Sequence, residues 1–361
     1  MLLHVFPSFA VGGAQVRMAA IANRFGPRWK HAVVALDGRH DCAERLRPDV
    51  PCEPVDVPRR DGETLPARLS RIAAELRARR PHALVTSNWG SIEWAMARLA
   101  VPGLRHVHME DGFGPDEAAG QKARRVWTRR LVLRRSEIIL PSTLLLRAAR
   151  EQWRLPERRL HFIPNGLDLA RFRPDGPRLD LAPEGEGPVI GTVAALRPEK
   201  NLERLLRACG ALLAEGAKLR LVVLGDGPER ARLERLAGEL GLAAHARFAG
   251  HVPDPAAAYR GFDAFALSSD TEQMPFSVLE AMASGLPVAS TDVGDVRFML
   301  GEAQAAHVAA RDAGALASAL RPLLADAALR ARLGAANRAK AERDYDQEAM
   351  FAAHARLLDG G

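Results

Sequence analysis

Cysteine is scarce in this chain of 361 residues: Cys42, Cys52 and Cys209 are the only three. No CxxC pair or Cys/His cluster has the spacing of a structural zinc site, and three thiols make no disulfide framework, so a reducing, cytoplasmic setting is expected. Aromatic residues amount to 5%, and no recognition motif accompanies the basic charge, so no nucleic-acid partner is expected. Long apolar runs are also missing. Nothing approaches the roughly 20 residues that span a bilayer. The opening MLLHVFPSFAVGGAQ has no basic leader and breaks at Pro7 and Gly12, which reads as a first β-strand rather than a signal peptide.

The chain instead has the balance of a globular enzyme, with 47% hydrophobic and 26% charged residues. Its length suits two α/β domains with a cleft between them. The net charge of +7 is unevenly placed: Met1 to Asn165 carries 28 Lys and Arg against 17 Asp and Glu, while the remainder is net acidic. Basicity peaks between Lys122 and Arg135, where Arg124, Arg125, Arg129, Arg130 and Arg134 interleave with Val126, Trp127, Leu131, Val132 and Leu133. Such a helix suits an anionic surface, either acidic lipid or an anionic acceptor, and the competing reading is a solvated Arg-rich face.

Short β-rich runs alternate with helical stretches through the first half: LLHVFPSF, HAVVALD, CEPVDV, ALVTSN, RHVHME, EIILPS and RLHFIPN. This alternation argues for a parallel sheet. A stretch dense in Pro, Gly and charge, residues 171–188, reads as the linker. The pattern restarts at PVIGTVAAL and continues through LRLVVLG, ARFAGH, AFALSS and PVASTD, with helices over 202–213, 230–240 and 277–283. The expected domains are therefore 1–170 and 189–345, with a C-terminal helix over 346–361 packing back on the first.

Several constellations carry chemistry. Gly12 and Gly13 stand between the first strand and a helical pattern; glycine lets a ligand approach the backbone, and a helix start favours phosphate. The dinucleotide fingerprint GxGxxG is absent there, which speaks against a dehydrogenase. Arg197 and Lys200, in RPEKN, follow a strand and precede an amphipathic helix. Cations at that end of a parallel strand can neutralise a diphosphate. Glu272 and Glu280 bracket QMPFSVL between AFALSS and GLPVAS. The first carboxylate falls in a loop, the second within a helix, and a carboxylate can hold a ribose diol by paired hydrogen bonds.

These residues resemble the retaining glycosyltransferases of the GT-B fold, family 4. The resemblance covers nearly the whole chain and rests on GGAQ, IPNGLD at Ile163 to Asp168, RPEKN, LGDGPER at Leu224 to Arg230, and the Glu272 to Glu280 segment with its tail EAMASGLPV. It implies an α/β fold of two Rossmann-like domains with parallel sheets facing across a cleft, and a UDP- or GDP-sugar as donor. It also implies that Arg197 and Lys200 hold the donor diphosphate, that Glu280 binds the ribose, and that Glu272 contacts the transferred sugar. Met274, Phe276 and Ser277 lie along the same donor segment, and His251 and Val252 would be near the base. The family usually has glycine after the first Glu; here Gln273, Met274 and Pro275 follow, and Pro275 has no amide to offer a sugar hydroxyl.

The family also places a His or Asp at the end of a late strand of the first domain. Alternation puts His106, His108 and Glu110 on one strand face, favouring His108, with Glu110 and Asp111 kept open on the acceptor side. The only DxD, Asp344-Tyr345-Asp346, lies in a helical tail, so neither a metal nor a cofactor beyond the nucleotide-sugar is expected. The acceptor implied is a glycan or a lipid-linked sugar, in bacterial surface polysaccharide or glycolipid synthesis. The enzyme would sit in the cytoplasm, with a possible peripheral contact to the inner face of the membrane through Lys122 to Arg135. Two rivals remain: a sugar-nucleotide epimerase or hydrolase on the same plan, and a binding subunit without activity.

Overall fold

The computed structural model describes residues 1–57, 60–113, 117 and 120–360. The chain divides into two compact units, Met1–Pro164 with Ala349–Gly361, and Asn165–Glu348. The crossings fall at 164/165 and 348/349. Residues 171–188, read from the sequence as the linker, therefore belong to the second unit. Phe172 is buried in that unit's core, and Arg338 on a late helix donates to the carbonyls of Phe172 and Ala283, each at 2.7 Å. Pro, Gly and charge marked an irregular segment correctly; they could not say which body it lies on.

The first unit holds a seven-stranded parallel sheet in the order β3-β2-β1-β4-β5-β6-β7. Its strands are β1 Leu2–Phe6, β2 His31–Ala35, β3 Cys52–Pro54, β4 Ala83–Ser87, β5 Arg105–Met109, β6 Glu137–Leu140 and β7 Leu160–Phe162. The helices are α1 Gly13–Phe25, α2 Leu65–Arg79, α3 Ile92–Arg98, α4 Ala123–Val132 and α5 Thr143–Arg147. All five residues of both β1 and β4 are buried, as expected for central parallel strands covered on both faces.

The second unit holds six parallel strands in the order β10-β9-β8-β11-β12-β13. They are β8 Val189–Val193, β9 Arg220–Leu224, β10 Ala246–Gly250, β11 Ala264–Leu267, β12 Val288–Thr291 and β13 Val308–Ala309. Helices α6 Leu202–Ala214, α7 Arg230–Glu239, α8 Ala256–Tyr259, α9 Phe276–Ala283, α10 Val296–Leu300, α11 Ala313–Ala325 and α12 Ala327–Asp344 accompany them. In α6, Leu202, Leu205, Leu206, Cys209 and Leu212 recur at helical spacing and are all buried.

The last helix, α13 Gln347–Asp359, ends in the first unit. Met350, Phe351, Ala355, Leu357 and Leu358 enter the same core as Leu2, Ile21 and Trp29. Asp359 fixes its end, accepting from Arg28 at 2.6 Å and from Trp29 Nε1 at 2.9 Å.

Both sheets have the doubly wound order in which the first strand lies centrally and its neighbours run outward in opposite directions. That reversal falls between β1 and β4 in one unit and between β8 and β11 in the other. Loops leave the sheet in opposite directions there and open a crevice at the strands' carboxyl ends.

Candidate active site

In the second unit, Arg197 and Lys200 follow β8, and Glu272 and Glu280 follow β11, so both pairs lie at the reversal point. The two loops are joined by backbone and side chain alike. Asp270 N–H donates to the Glu199 carbonyl at 2.9 Å, and Ser268 Oγ donates to the Lys200 carbonyl at 3.1 Å. Arg204 donates to Ser268 O and to Asp270 Oδ1, both at 2.6 Å. Asn201 takes a left-handed conformation at the cap of α6 and donates to Asp270 Oδ2 at 3.0 Å while accepting from Arg204 N–H at 3.2 Å. Asn is among the few residues that tolerate this conformation.

The turn after β9 supports this arrangement from the side. Leu196 N–H donates to Asp226 O at 2.9 Å, and Glu229 N–H to Leu196 O at 3.0 Å. Gly225 has φ +129° and lies so close to the Ala194 carbonyl that an added Cβ would overlap it. The LGDGPER motif thus acts as a brace for the loop that carries Arg197. Gly294 does the same beneath Glu272: with φ +53°, it leaves only 2.5 Å between a would-be Cβ and the carbonyl oxygens of Glu272 and Gln273.

Lys200 Nζ meets Glu272 Oε1 at 2.6 Å, and Ser269 Oγ donates to the same oxygen at 2.7 Å. Arg197 is exposed and forms no ion pair with a described residue. Glu280, in α9, accepts from Tyr259 Oη at 2.7 Å. Loss of hydration pushes its carboxyl up to about 7, with the Tyr259 hydrogen bond and the Arg171 charge acting in the other direction. The Tyr259 phenol is itself pushed well above its ordinary value by burial and by the Glu280 charge.

The remaining residues expected on the donor side separate. Phe276 and Ser277 start α9 half-buried, whereas Met274 is buried in the core; Asn165 Nδ2 donates to the Met274 carbonyl at 3.2 Å. His251 is exposed and Val252 half-buried, just past β10. Tyr259, Ser269, Asn201, Arg204 and Asp270 were not anticipated from the sequence. The last three had one available signal, an Asn at a helix start paired with an Asp after a strand.

In the first unit, Gly12 caps α1 with an extended backbone (φ −162°) and no side-chain cap, and Gly13 is exposed. The first-turn amides of α1 therefore lack a side-chain partner from the capping position. Alternation along β5 did place His106, His108 and Glu110 on one face, but that face is internal. His106, His108 and Glu110 are 3%, 0% and 0% exposed. Thr86 Oγ1 bridges His106 Nε2 at 2.8 Å and His108 Nδ1 at 2.7 Å, and His106 Nδ1 meets Ser136 Oγ at 2.7 Å. Glu110 Oε2 accepts from Arg129 Nε at 3.0 Å and lies 3.4 Å from His108 Nε2. Of the three candidates at the end of β5, only Asp111 keeps side-chain exposure, paired with Arg17 at 2.6 Å. Its backbone N–H donates to Asn88 Oδ1 at 2.7 Å.

Arg129 overturns part of the expectation for the basic helix. Instead of facing outward, it is fully buried, its guanidinium 4.9–5.4 Å from the ring centres of Trp89, Phe113 and Trp153. Arg125 also turns in, over Trp89 and 3.0 Å from Glu117. Helical periodicity explains this, because α4 must present one side to the core. The outward side carries Trp127, 57% exposed, and Leu131, 69% exposed, with Arg124 exposed as well, and Arg134 and Arg135 are exposed beyond the end of the helix. Arg130 stacks over Trp127 at 4.9 Å. Among the described residues there is no group of three or more His, Cys, Asp or Glu that could hold a metal ion, and no helix is long and apolar enough to cross a membrane.

Comparison with known proteins agrees with this architecture. Residues 11–171 match the model of Glycosyltransferase Family 4, and residues 178–340 that of Glycosyl transferases group 1. The chain belongs to the group 1, family 4 glycosyltransferases, which have the GT-B fold. A GDP-mannose-dependent alpha-mannosyltransferase of Mycolicibacterium smegmatis is 30% identical over 72% of this chain and 66% of its own length. A lipopolysaccharide core biosynthesis glycosyltransferase of Rhizobium meliloti is 31% identical over 50% of this chain and 52% of its own. The chain thus spans about two-thirds or less of these relatives. Among solved structures, Anabaena HepE in complex with UDP superposes with a TM-score of 0.80 at 16% identity, covering 100% of both chains.

Proposed function

We propose that this protein is a retaining glycosyltransferase that moves a sugar from a UDP- or GDP-sugar to a glycan or glycolipid acceptor. The observation that carries this reading is the convergence of Arg197, the Lys200–Glu272 pair and the desolvated Glu280 at the reversal point of the second sheet. Relatives named for GDP-mannose and for lipopolysaccharide core synthesis, and a similar fold solved with UDP, support it.

In this reading the donor's bond to phosphate breaks through an oxocarbenium-like state. Arg197 and Lys200 neutralise the departing diphosphate, which requires no metal and no further cofactor. Glu280 accepts from the ribose hydroxyls. Glu272 faces the sugar and, through its ion pair, also holds Lys200 in place. The first-turn amides of α1 at Gly12 and Gly13 offer a second phosphate site, and His251 and Val252 flank the base. Asp111 takes the acceptor-side role, because His108 and Glu110 have no exposed surface; those two act as positioning residues beneath it. The leaving phosphate would help remove the acceptor proton in a front-face attack, which retains configuration.

The test is product analysis with a panel of UDP- and GDP-sugars, with and without acceptor. Acceptor-dependent transfer with the donor's anomeric configuration kept is the expected result. Donor epimerisation or hydrolysis that ignores the acceptor would favour the rival enzyme, and no donor consumption at all would favour the inactive subunit. A thermal-shift screen narrows the panel first, since a ligand at 100 times its Kd adds about 2.7 kcal/mol.

A second element of the reading, a cytoplasmic protein in peripheral contact with an anionic membrane, rests on the outward side of α4. Trp127 and Leu131 are exposed one turn apart, and the cations around them have no carboxylate on the same helix. An apolar pair flanked by Arg is the composition of an interfacial helix.

A further inference from the structure

A concentration of positive charge lies at the opposite edge of the first sheet, where β5 and β6 begin. Arg98 ends α3, Arg105 opens β5, Arg135 precedes β6, and Arg159 precedes β7. The four guanidinium groups line one pocket of about 240 Å³ with Gly103, Leu104 and a single carboxylate, Glu137. The pocket's other titratable group, His106, is held neutral by burial, so the lining carries three more positive than negative charges.

Structural duties account for only part of that charge. Arg159 and His161 share Glu137. Arg105 donates to the carbonyls of Leu357 and Leu358, at 2.7 and 3.2 Å, and so ties down α13. Arg98 uses only Nε, donating to Leu104 O at 2.9 Å. Its two terminal nitrogens, and the whole of the exposed Arg135, make no hydrogen bond to a described residue. Burial and the nearby Arg159 and Arg135 charges also lower the Arg98 pKa, a direction that a bound anion would reverse.

We infer that this pocket is a binding site for a phosphate-type anion, separate from the nucleotide site. Planar guanidinium forks match the oxygens of a phosphate, and several of them around one small volume give paired, charge-assisted hydrogen bonds. The volume falls below the 300–1,000 Å³ of typical organic-ligand sites, which suits an inorganic ion or a phosphomonoester head group rather than a nucleotide. The pocket lies at the strands' amino ends, whereas the donor and acceptor residues follow the strands' carboxyl ends.

The experiment must separate this site from Arg197 and Lys200, which would also attract phosphate. Calorimetric titration with inorganic phosphate is therefore run on Arg197→Ala/Lys200→Ala protein. That protein should still bind phosphate, and adding Arg135→Gln should weaken the binding about tenfold, the loss expected for one charge-assisted contact. Adding Arg98→Gln as well should remove this site's share of the binding, leaving only what the α1 amides hold. Circular dichroism melting without phosphate checks folding, and Arg135→Gln, an exposed change, keeps the test valid if Arg98→Gln impairs the fold. No phosphate binding in the starting variant, or binding unaffected by Arg135→Gln, overturns the site. Vesicles containing phosphatidic acid, used at constant ionic strength with protein that also carries Arg124→Gln, Arg130→Gln and Arg134→Gln so that the α4 surface does not contribute, distinguish the sources: if inorganic phosphate displaces this protein from them, and Arg135→Gln weakens its binding, the site takes a head group. Phosphate binding without such displacement assigns the soluble ion.

Discussion

Glu280 shows how local environment and ligand chemistry meet in one side chain. A carboxyl in water ionises near 4.3, but here burial holds it at about 7. In the proposed function its ionised form accepts two ribose hydroxyls, so donor affinity should fall as pH drops below about 7, approaching tenfold per unit. The sugar-nucleotide diphosphate has no proton to gain in that range, so the dependence belongs to the protein. Calorimetry with UDP- and GDP-sugars between about pH 5.5 and 8 reads it, and Glu280→Gln should weaken binding and flatten the profile. A steep profile surviving in that variant would assign the titration elsewhere. For the free nucleoside diphosphate, Glu280→Ala should cost affinity. Glu272→Ala should leave that affinity nearer wild type and mainly lower kcat, because charge develops beside the sugar. Arg197→Ala and Lys200→Ala should each lower kcat by at least about tenfold with the fold intact, since contacts to a leaving group act in the transition state. Steady-state kinetics with both variants at wild-type kcat would remove the diphosphate assignment.

At the scale of the element, α4 has two unlike sides. Inward, Arg129 is surrounded by three aromatic rings and neutralised by Glu110 at 3.0 Å and Glu117 at 3.7 Å. Arg129→Gln would leave the buried Glu110 without its cation, while Glu117 keeps Arg125 at 3.0 Å, and should cost about 3–5 kcal/mol, read as a lowered denaturation midpoint. Outward, Arg124 and Arg130, with Arg134 just past the helix, changed together to Gln should leave stability near wild type and remove binding to acidic vesicles, which salt should weaken in the parent protein. Equal sedimentation with neutral and acidic vesicles, or with neither, would return this side to an ordinary solvated face. The two sides look alike in sequence, because Arg recurs through the whole segment; only the direction in which α4 packs distinguishes them.

Across the whole molecule, the buried titratable groups give the two units different responses to acid. In the first unit, burial lowers the pKa of His4 and His106 well below the ordinary value, that of His31 to about 4 and that of His354 to about 3. The unfolded chain binds these protons near 6.5 and the folded unit does not, so its stability is full above that pH and falls as pH drops toward 4. In the second unit Glu280 works the other way. Its folded pKa lies above the unfolded one, so its penalty is full above about 7 and is relieved as pH falls toward 4.5. Hydrogen exchange at pH 7 and pH 5 should therefore show protection lost first in the strands of the first unit, β1 and β5 among them. Earlier loss in β8 and β11 would contradict this.

The sequence by itself determined the alternation of strands and helices, the two parallel sheets and the positions of the motifs proposed to hold the donor. These follow from local periodicity, from turn chemistry and from the short reach between a strand end and the next helix. It placed Arg197, Lys200, Glu272 and Glu280 in the loops and helix that the fold brings to one reversal point. Tertiary structure decided what periodicity cannot express. Alternation gave His106, His108 and Glu110 a common face but not its surroundings; β4, β6 and α4 enclose that face and leave Asp111 partly exposed. Tyr259 reaches Glu280, and Arg98 joins Arg105, Arg135 and Arg159, across separations in the chain that no local pattern spans. Burial and charge compensation depend on which elements pack together, so the pKa of Glu280 and the uncompensated arginines appear only when the chain is folded.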